Sequence, residues 1–371
     1  MSQTFSGSYE PDDVAFLLKT IDMEPIPMDE RERLIQSGRA HYSEMIGPES
    51  APSARYLDLF HEGLARNRAA MARHLVALAG IISRSRAGPL TLVSLARAGV
   101  PVGVLLGRIL KRHFRREVRH YSISVIRDRG IDGNALSHLL KNEGRPEKSI
   151  VFVDGWTGKG VMAGELDAAV RKYNLSFGTD ISPDLYVLSD LCGAAAAAAS
   201  SEDFLIPSCL LNSTVSGLIS RTILNAAHIG PDDFHGCVFY GELAQADLSR
   251  WFVEQIMIEV ERLAALSPAG ALAAAALGPA RRAALRQRNK AFIERLKARH
   301  GLTDQNHIKP GIGEATRVLL RRAPELLILR DPDDPQVAHL RLLARQRSVP
   351  AIHDANLPYR AAALIKALAD A

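Results

Sequence analysis

The sequence predicts an α/β protein: a mainly parallel sheet with helices on both faces, followed by a small C-terminal α/β unit. Three observations predict it. Short aliphatic runs alternate with stretches of helical periodicity over residues 54–190, the pattern of strand–helix–strand units. Polar, glycine-containing loops follow those strands, where such sheets place their ligands. Near residue 266 the composition shifts, and an alanine run flanked by prolines sets the remainder apart.

The elements follow in order. Residues 54–83 alternate apolar and charged positions at helical spacing, and "LTLVSLA" (90–96) reads as a buried strand. "VPVGVLLGRILKRHF" is a helix with cations in its last turns, where the helix dipole favours them. "HYSISVI" (120–126) is a strand, "RDRGIDGN" a polar turn and "ALSHLLKNE" a helix. "SIVFV" (149–153) is a strand ending at Asp154, a helix follows the glycine turn behind it, and "DLYVLSD" (184–190) is a further strand. "PSCLLNSTVSGLISRTIL" (207–224) is apolar at helical spacing and carries Asn212, Ser213, Thr214, Ser216, Ser220, Arg221 and Thr222. It reads either as a capped, partly buried helix or as a wall of donors facing an anion. The alanine-rich stretch is a linker that becomes a basic connecting helix ending at Gly301. Beyond it, "GIGEATRVLLRR", "ELLILRD", "DPQVAHLRLLARQRSVP", "AIHD" and "LPYRAAALIKALAD" predict helix, strand, helix, strand, helix. The expected divisions are 1–262, a linker helix 263–300, and 301–371.

Composition is that of a globular protein, with 47% hydrophobic and 23% charged residues in 371. No apolar run reaches the ~18 residues of a membrane span. The N-terminus lacks a signal-peptide pattern, and Cys192, Cys209 and Cys237 form no CxxC pair, so a reducing cytoplasm is expected. The net charge of +5 is uneven: residues 281–371 hold 18 Lys and Arg against 9 Asp and Glu, and residues 1–280 hold 28 against 32. The C-terminal quarter thus points to a polyanionic partner, or to a solvated basic helix.

The segment "IVFVDGWTGKG" (150–160) carries the densest signal. A strand feeding a glycine turn into a helix N-terminus presents unpaired backbone N–H groups to a phosphate. Thr157 offers a hydroxyl, Gly158 and Gly160 admit close approach, and Lys159 adds charge. A triphosphate loop GxxxxGK[ST] fails at two fixed positions, Val153 and Gly160. "SLARAGVPVG" (94–103) is a second strand–loop–helix unit, whose turn carries Arg97, Ala98 and Gly99.

Together these two loops resemble those of type I phosphoribosyltransferases, which hold pyrophosphate at the first strand end and the ribose 5-phosphate of phosphoribosyl pyrophosphate (PRPP) at the second. The resemblance implies that fold for the sheet. It also implies Mg²⁺-dependent transfer of ribose 5-phosphate to or from a nucleobase-like acceptor. "SVIRDRGID" (124–132) is similar to the segment leading into the mobile loop of those enzymes, which gives Arg127 and Arg129 a role over the pyrophosphate. Arg97 would stabilise the leaving group, and Asp154 would bind the ribose hydroxyls or the metal. Where that family usually has two adjacent acids, this chain has Asp154 and Gly155.

Residues 309–317 resemble the turn of Pelota-like RNA-binding domains that opens a helix and contacts RNA, with Lys309, Gly311, Glu314, Thr316 and Arg317 at corresponding positions and Gly313 in place of the usual asparagine. A structured RNA is the implied partner. Across most of its length the chain resembles a family found beside tellurium-resistance and stress-response genes, carried by "FSGSYEPDDVAFLLK", "LARAGVPVG", "SVIRDRGID", "VDGWTGKG" and "LLNSTVSGLISRT". Its members are often labelled cysteine protease StiP and also classed as phosphoribosyltransferase-like. The leading expectation is therefore a PRPP-dependent transferase. Its rivals are a PRPP or nucleotide sensor, an RNA-binding adaptor, and a thiol protease built from Cys209 or Cys237 with His228 or His235. A homo-oligomer is compatible with any of these.

Overall fold

The computed structural model describes residues 4–266 and 277–366. The alanine-rich stretch predicted as a linker falls mostly outside these residues.

Six parallel strands form the main sheet, in the order β1-β3-β2-β4-β5-β6. These are β1 (Ala15–Phe16), β2 (Leu90–Leu95), β3 (Val118–Ile123), β4 (Ile150–Thr157), β5 (Leu185–Asp190) and β6 (Ala197–Ser200). Residues of β2 and β4 are buried nearly throughout because helices cover both faces. Period-2 alternation divides them between two cores. Leu92, Val151 and Val153 join a cluster with α1 (Ala54–Ser85), α2 (Val100–His113) and α5 (Ser249–Leu266). Val93, Ile150 and Phe152 join a second cluster with α3 (Gly133–Lys141) and α4 (Val161–Phe177).

The basic helix α6 (Pro279–His300) ends at Gly301 in the left-handed conformation, as the sequence predicts. It leads into a four-stranded sheet of β7 (Ile308–Pro310), β8 (Pro324–Leu329), β9 (Ala351–His353) and β10 (Ala361–Ile365), ordered β7-β10-β8-β9, with helices α7 (Ile312–Arg321) and α8 (Ala338–Gln346). The first core cluster continues without a break into this unit through Ile312, Ala315, Val318, Leu319, Leu327 and Leu340.

Three elements differ from expectation. The terminal "AAALI" is an interior strand, β10, where a helix is predicted. All five residues are buried between β7 and β8, and small side chains fit there whatever their helical propensity. Residues 207–224 form two 3₁₀ turns, Pro207–Cys209 and Ser213–Val215, instead of a helix. Serine and threonine there bond locally and to distant groups: Glu49 Oε1 accepts from the Ser213 amide at 3.0 Å and its hydroxyl at 2.9 Å. Strand β4 runs on to Thr157, so Asp154 lies within the strand and not at its end.

Asn289 ties the pieces together. Its side-chain amide donates to the Gly158 carbonyl at 2.9 Å and to the Tyr359 hydroxyl at 2.7 Å, joining α6, the glycine turn and the C-terminal unit. Replacing Asn289 with Ala is expected to lower stability by about 1–3 kcal/mol through these two buried partners, a loss that urea denaturation measures directly.

Candidate functional site

A cavity of about 330 Å³ opens where the carboxyl ends of β2 and β4 meet the C-terminal unit. Its floor is the last residues of β4 and the two loops that follow β2 and β4, bearing Arg97, Ala98, Asp154, Thr157, Gly158, Lys159 and Gly160, and Arg127 stands at its side. The opposite wall is formed by β7 and by one face of α7 with its C-terminal cap, bearing Lys309, Glu314, Arg317, Arg321 and Arg322. Arg317 and Arg321 lie four residues apart and so share a helical face.

The loops take their shape from local bonds. The Thr157 hydroxyl accepts from the Gly160 amide at 3.0 Å. Gly160 sits at φ 80°, and a Cβ there would lie 2.6 Å from the Cβ of Ala194, so glycine alone serves. Gly99 lies behind the floor at the start of α2, where a Cβ would meet the Val153 carbonyl at 2.7 Å. Arg97 donates to the Ile219 carbonyl at 2.9 Å and pairs with Glu49 at 3.5 Å, while its buried Nε has no partner among the described residues. Arg127 and Arg221 flank the Tyr42 ring at 5.5 and 5.4 Å.

The cavity is strongly cationic. Arg97, Arg127, Lys159, Arg221, Lys309, Arg317, Arg321 and Arg322 line it against two carboxylates, Asp154 and Glu314. Burial raises Asp154 to about 6, opposed by Arg317 and by the Gly155 amide, which donates to Oδ1 at 2.7 Å. Burial, with Lys309 beside it, lowers Lys159 to about 7; its ammonium donates to the Gln305 carbonyl at 2.6 Å. Lys309 is likewise lowered, chiefly by burial. Glu314 is held below the usual range because Arg317, Lys309 and Lys159 outweigh its burial. Among the described residues no group of three or more His, Cys, Asp or Glu stands together, and Arg317 is the cation that acts on Asp154.

Not every predicted residue lines the cavity. Arg129 pairs with Glu44 at 2.9 Å and is half exposed, outside the cavity lining. The 309–317 turn faces inward. Lys309, Glu314 and Arg317 line the cavity, Gly311 and Gly313 line a small adjoining hollow, and Thr316 is fully buried. Arg321 and Arg322 escaped sequence reading, although their four-residue spacing from Arg317 and Val318 was the available signal.

All three cysteines are buried free thiols, but Cys209 alone among them lines the cavity. Burial pushes its thiol up to about 12, opposed by the Thr316 hydroxyl and Arg317. Cys192 and Cys237 are also pushed to about 12, the latter by burial alone. The predicted thiol–histidine pairs do not form. His228 is exposed, and His235 meets the Ser124 hydroxyl at 2.8 Å. Among the described residues no cysteine is hydrogen-bonded to a histidine; His339 reaches only Thr316, at 2.8 Å. Also among the described residues, no helix is long and apolar enough to cross a membrane.

Residues 7–257 match the family described as "Tellurite-like stress resistance cysteine protease StiP", and residues 287–367 match the "PELOTA RNA binding domain". A relative from Acinetobacter baylyi (strain ATCC 33305 / BD413 / ADP1), named "Cysteine protease StiP", is 40% identical over 379 residues, covering 99% of this chain and 96% of its own. A solved structure, a probable N-succinyldiaminopimelate aminotransferase from Thermus thermophilus, shares 11% identity over 76% of this chain and 74% of its own, at a TM-score of 0.20, a likeness too weak to bear on fold or function. These matches overturn the leading expectation. The relative and the family are described as cysteine proteases, so the reading as a PRPP-dependent phosphoribosyltransferase, with its glycosyltransferase chemistry and nucleobase acceptor, is withdrawn in favour of the thiol-protease alternative. With a family match over more than half its length and a full-length relative at this identity, the chain belongs to the StiP family of tellurite-like stress resistance cysteine proteases.

Proposed function

We propose that the chain is a cysteine-dependent peptidase working in the cavity between the parallel sheet and the C-terminal unit, with Cys209 as nucleophile and an acidic substrate segment held by the cationic walls. The observation that carries this reading is that Cys209 is the cysteine facing the cavity. Attack by its sulfur on a peptide carbonyl forms a thioester and expels the amine, which takes up the thiol proton; water then hydrolyses the thioester. With the thiol raised to about 12, the proton leaves during attack and not before it. Arg97, the turn at Ala98 and the Thr157–Gly160 turn form the anion cradle, with Arg127 and Lys159 adding charge. For the sheet itself, the two strand-end loops support the type I phosphoribosyltransferase-like arrangement as the fold reading.

The test is selective alkylation with iodoacetamide under native conditions, followed by peptide mapping. Cys209 is expected to react ahead of Cys192 and Cys237, and an acidic peptide is expected to slow it. Alkylation at Cys192 or Cys237 first would overturn the assignment.

The cradle also predicts a pH dependence. Between pH 5 and 8 Asp154, near 6, gains a negative charge, and Lys159, near 7, loses a positive one. The cavity's net charge therefore falls by two units as pH rises. At about 1 kcal/mol per partly screened charge, sulfate, whose own charge is constant over this range, is expected to bind about thirtyfold more weakly at pH 8 than at pH 5. Calorimetric titration checks this, and Lys159→Met is expected to remove about half of the effect.

A further inference from the structure

The cavity wall gathers four cations of the C-terminal unit. Most cations of α6 are engaged within the molecule. Arg282 and Arg286 donate to the carbonyls of residues 193, 195 and 196, Arg295 and Arg299 pair with Asp354, and Arg288 stacks on Tyr359. Elsewhere in the unit Arg341 pairs with Asp333 and Arg360 with Asp334. Lys309, Arg317, Arg321 and Arg322 converge on the inward wall, where Arg317 pairs with Glu314 at 3.0 Å, Arg321 donates to Asn212 at 2.8 Å and Arg322 pairs with Glu32.

That wall is docked closely. The Arg317 guanidinium lies 4.4 Å over the Trp156 ring, and the indole N–H donates to Glu314 at 3.3 Å. A Cβ at Gly313 would lie 2.4 Å from the same ring, one at Gly158 2.8 Å from the Pro310 carbonyl, and one at Gly311 2.5 Å from Leu191. Three glycines on two sides of one contact are what close approach of two backbones requires. A cavity of about 330 Å³ holds a small ligand or a short extended segment, not a folded RNA.

We infer that RNA reaches the cationic face of the C-terminal unit only when that face undocks, so that RNA and the closed cavity compete for Lys309, Arg317 and Arg321. The coupling is reciprocal: whatever stabilises the closed cavity weakens RNA binding by the same factor. The inference rests on the match of residues 287–367 to an RNA-binding domain and on the docking geometry, and it stands whether or not Cys209 is a nucleophile.

Trp156 reports on docking. The chain has two tryptophans, so Trp251→Phe leaves Trp156 as the sole emitter. Fluorescein-labelled bulk transfer RNA, titrated at fixed low salt, gives binding by anisotropy; unlabelled RNA gives the Trp156 emission maximum and acrylamide quenching. Binding is expected to red-shift Trp156 and raise its quenching constant in parallel with saturation. Gly158→Val, which presses on Pro310 from the first unit and leaves the cationic turn intact, is expected to bind RNA at least tenfold more tightly than the parent. Saturation with Trp156 unchanged would overturn the inference, as would weakening of RNA binding by Arg97→Ala, which would put RNA in the docked cavity. Absence of RNA binding by both parent and Gly158→Val would overturn it as well.

Discussion

Cys209→Ala is expected to abolish peptide cleavage, lowering kcat/KM by at least three orders of magnitude, while Cys192→Ala and Cys237→Ala retain activity within a few-fold. Loss of a covalent nucleophile has no substitute in the cavity, because the other two thiols lie outside it. The substitution removes one sulfur from a site that is 6% exposed and leaves the Thr316–His339 contact standing, so folding is expected to be preserved. Initial rates on a fluorogenic acidic peptide, with circular dichroism as the folding control, check the prediction. Equal rates for Cys209→Ala and the parent would remove Cys209 as nucleophile.

Asp203→Ala is expected to loosen the C-terminal unit from the sheet and cost about 2–6 kcal/mol of stability. Asp203 comes from the first unit, yet its carboxylate accepts from two amides of the second, Ile312 at 2.9 Å and Arg360 at 2.8 Å. It thereby serves as the N-terminal cap that α7 lacks in its own sequence, where Gly311 precedes the first turn. Alanine leaves both amides without an acceptor, at about 1–3 kcal/mol each. Because α7 carries Arg317 and Arg321 into the cavity wall, loosening it also exposes Cys209. Urea denaturation measures the stability, and faster iodoacetamide modification of Cys209 measures the opening. A variant with unchanged stability and unchanged alkylation rate would show that the cap is dispensable.

Much of this was legible before folding. The strands and helices from residue 54 to residue 190 follow from uninterrupted burial or a clear period, signals that tertiary contacts reinforce. The two glycine turns were legible as a pair for the same reason: parallel strands of one sheet deliver their following loops to one edge, and Arg97 and Lys159 do line one cavity. Their shared position located the cavity without naming its chemistry, since a cationic hollow at strand ends serves an acidic peptide as well as a phosphate. The family resemblance carried both names, and the full-length relative decided between them.

The errors share a cause. Alanine-rich "AAALI" prefers a helix in isolation, and only its place between β7 and β8 makes it a strand. The Ser/Thr-rich stretch at 207–224 has helical spacing, but Glu49, far away in sequence, claims its donors.

What the sequence determined by itself was the alternation of elements, the basic C-terminal quarter and the residues that line the floor of the cavity. What only the tertiary structure decided was that the C-terminal turn faces inward, that Arg321 and Arg322 join the wall, and that one cysteine of three faces the cavity. Periodicity and turn chemistry are local and can be read along the chain, whereas docking depends on surfaces matched across some 150 residues, as between Trp156 and Gly313.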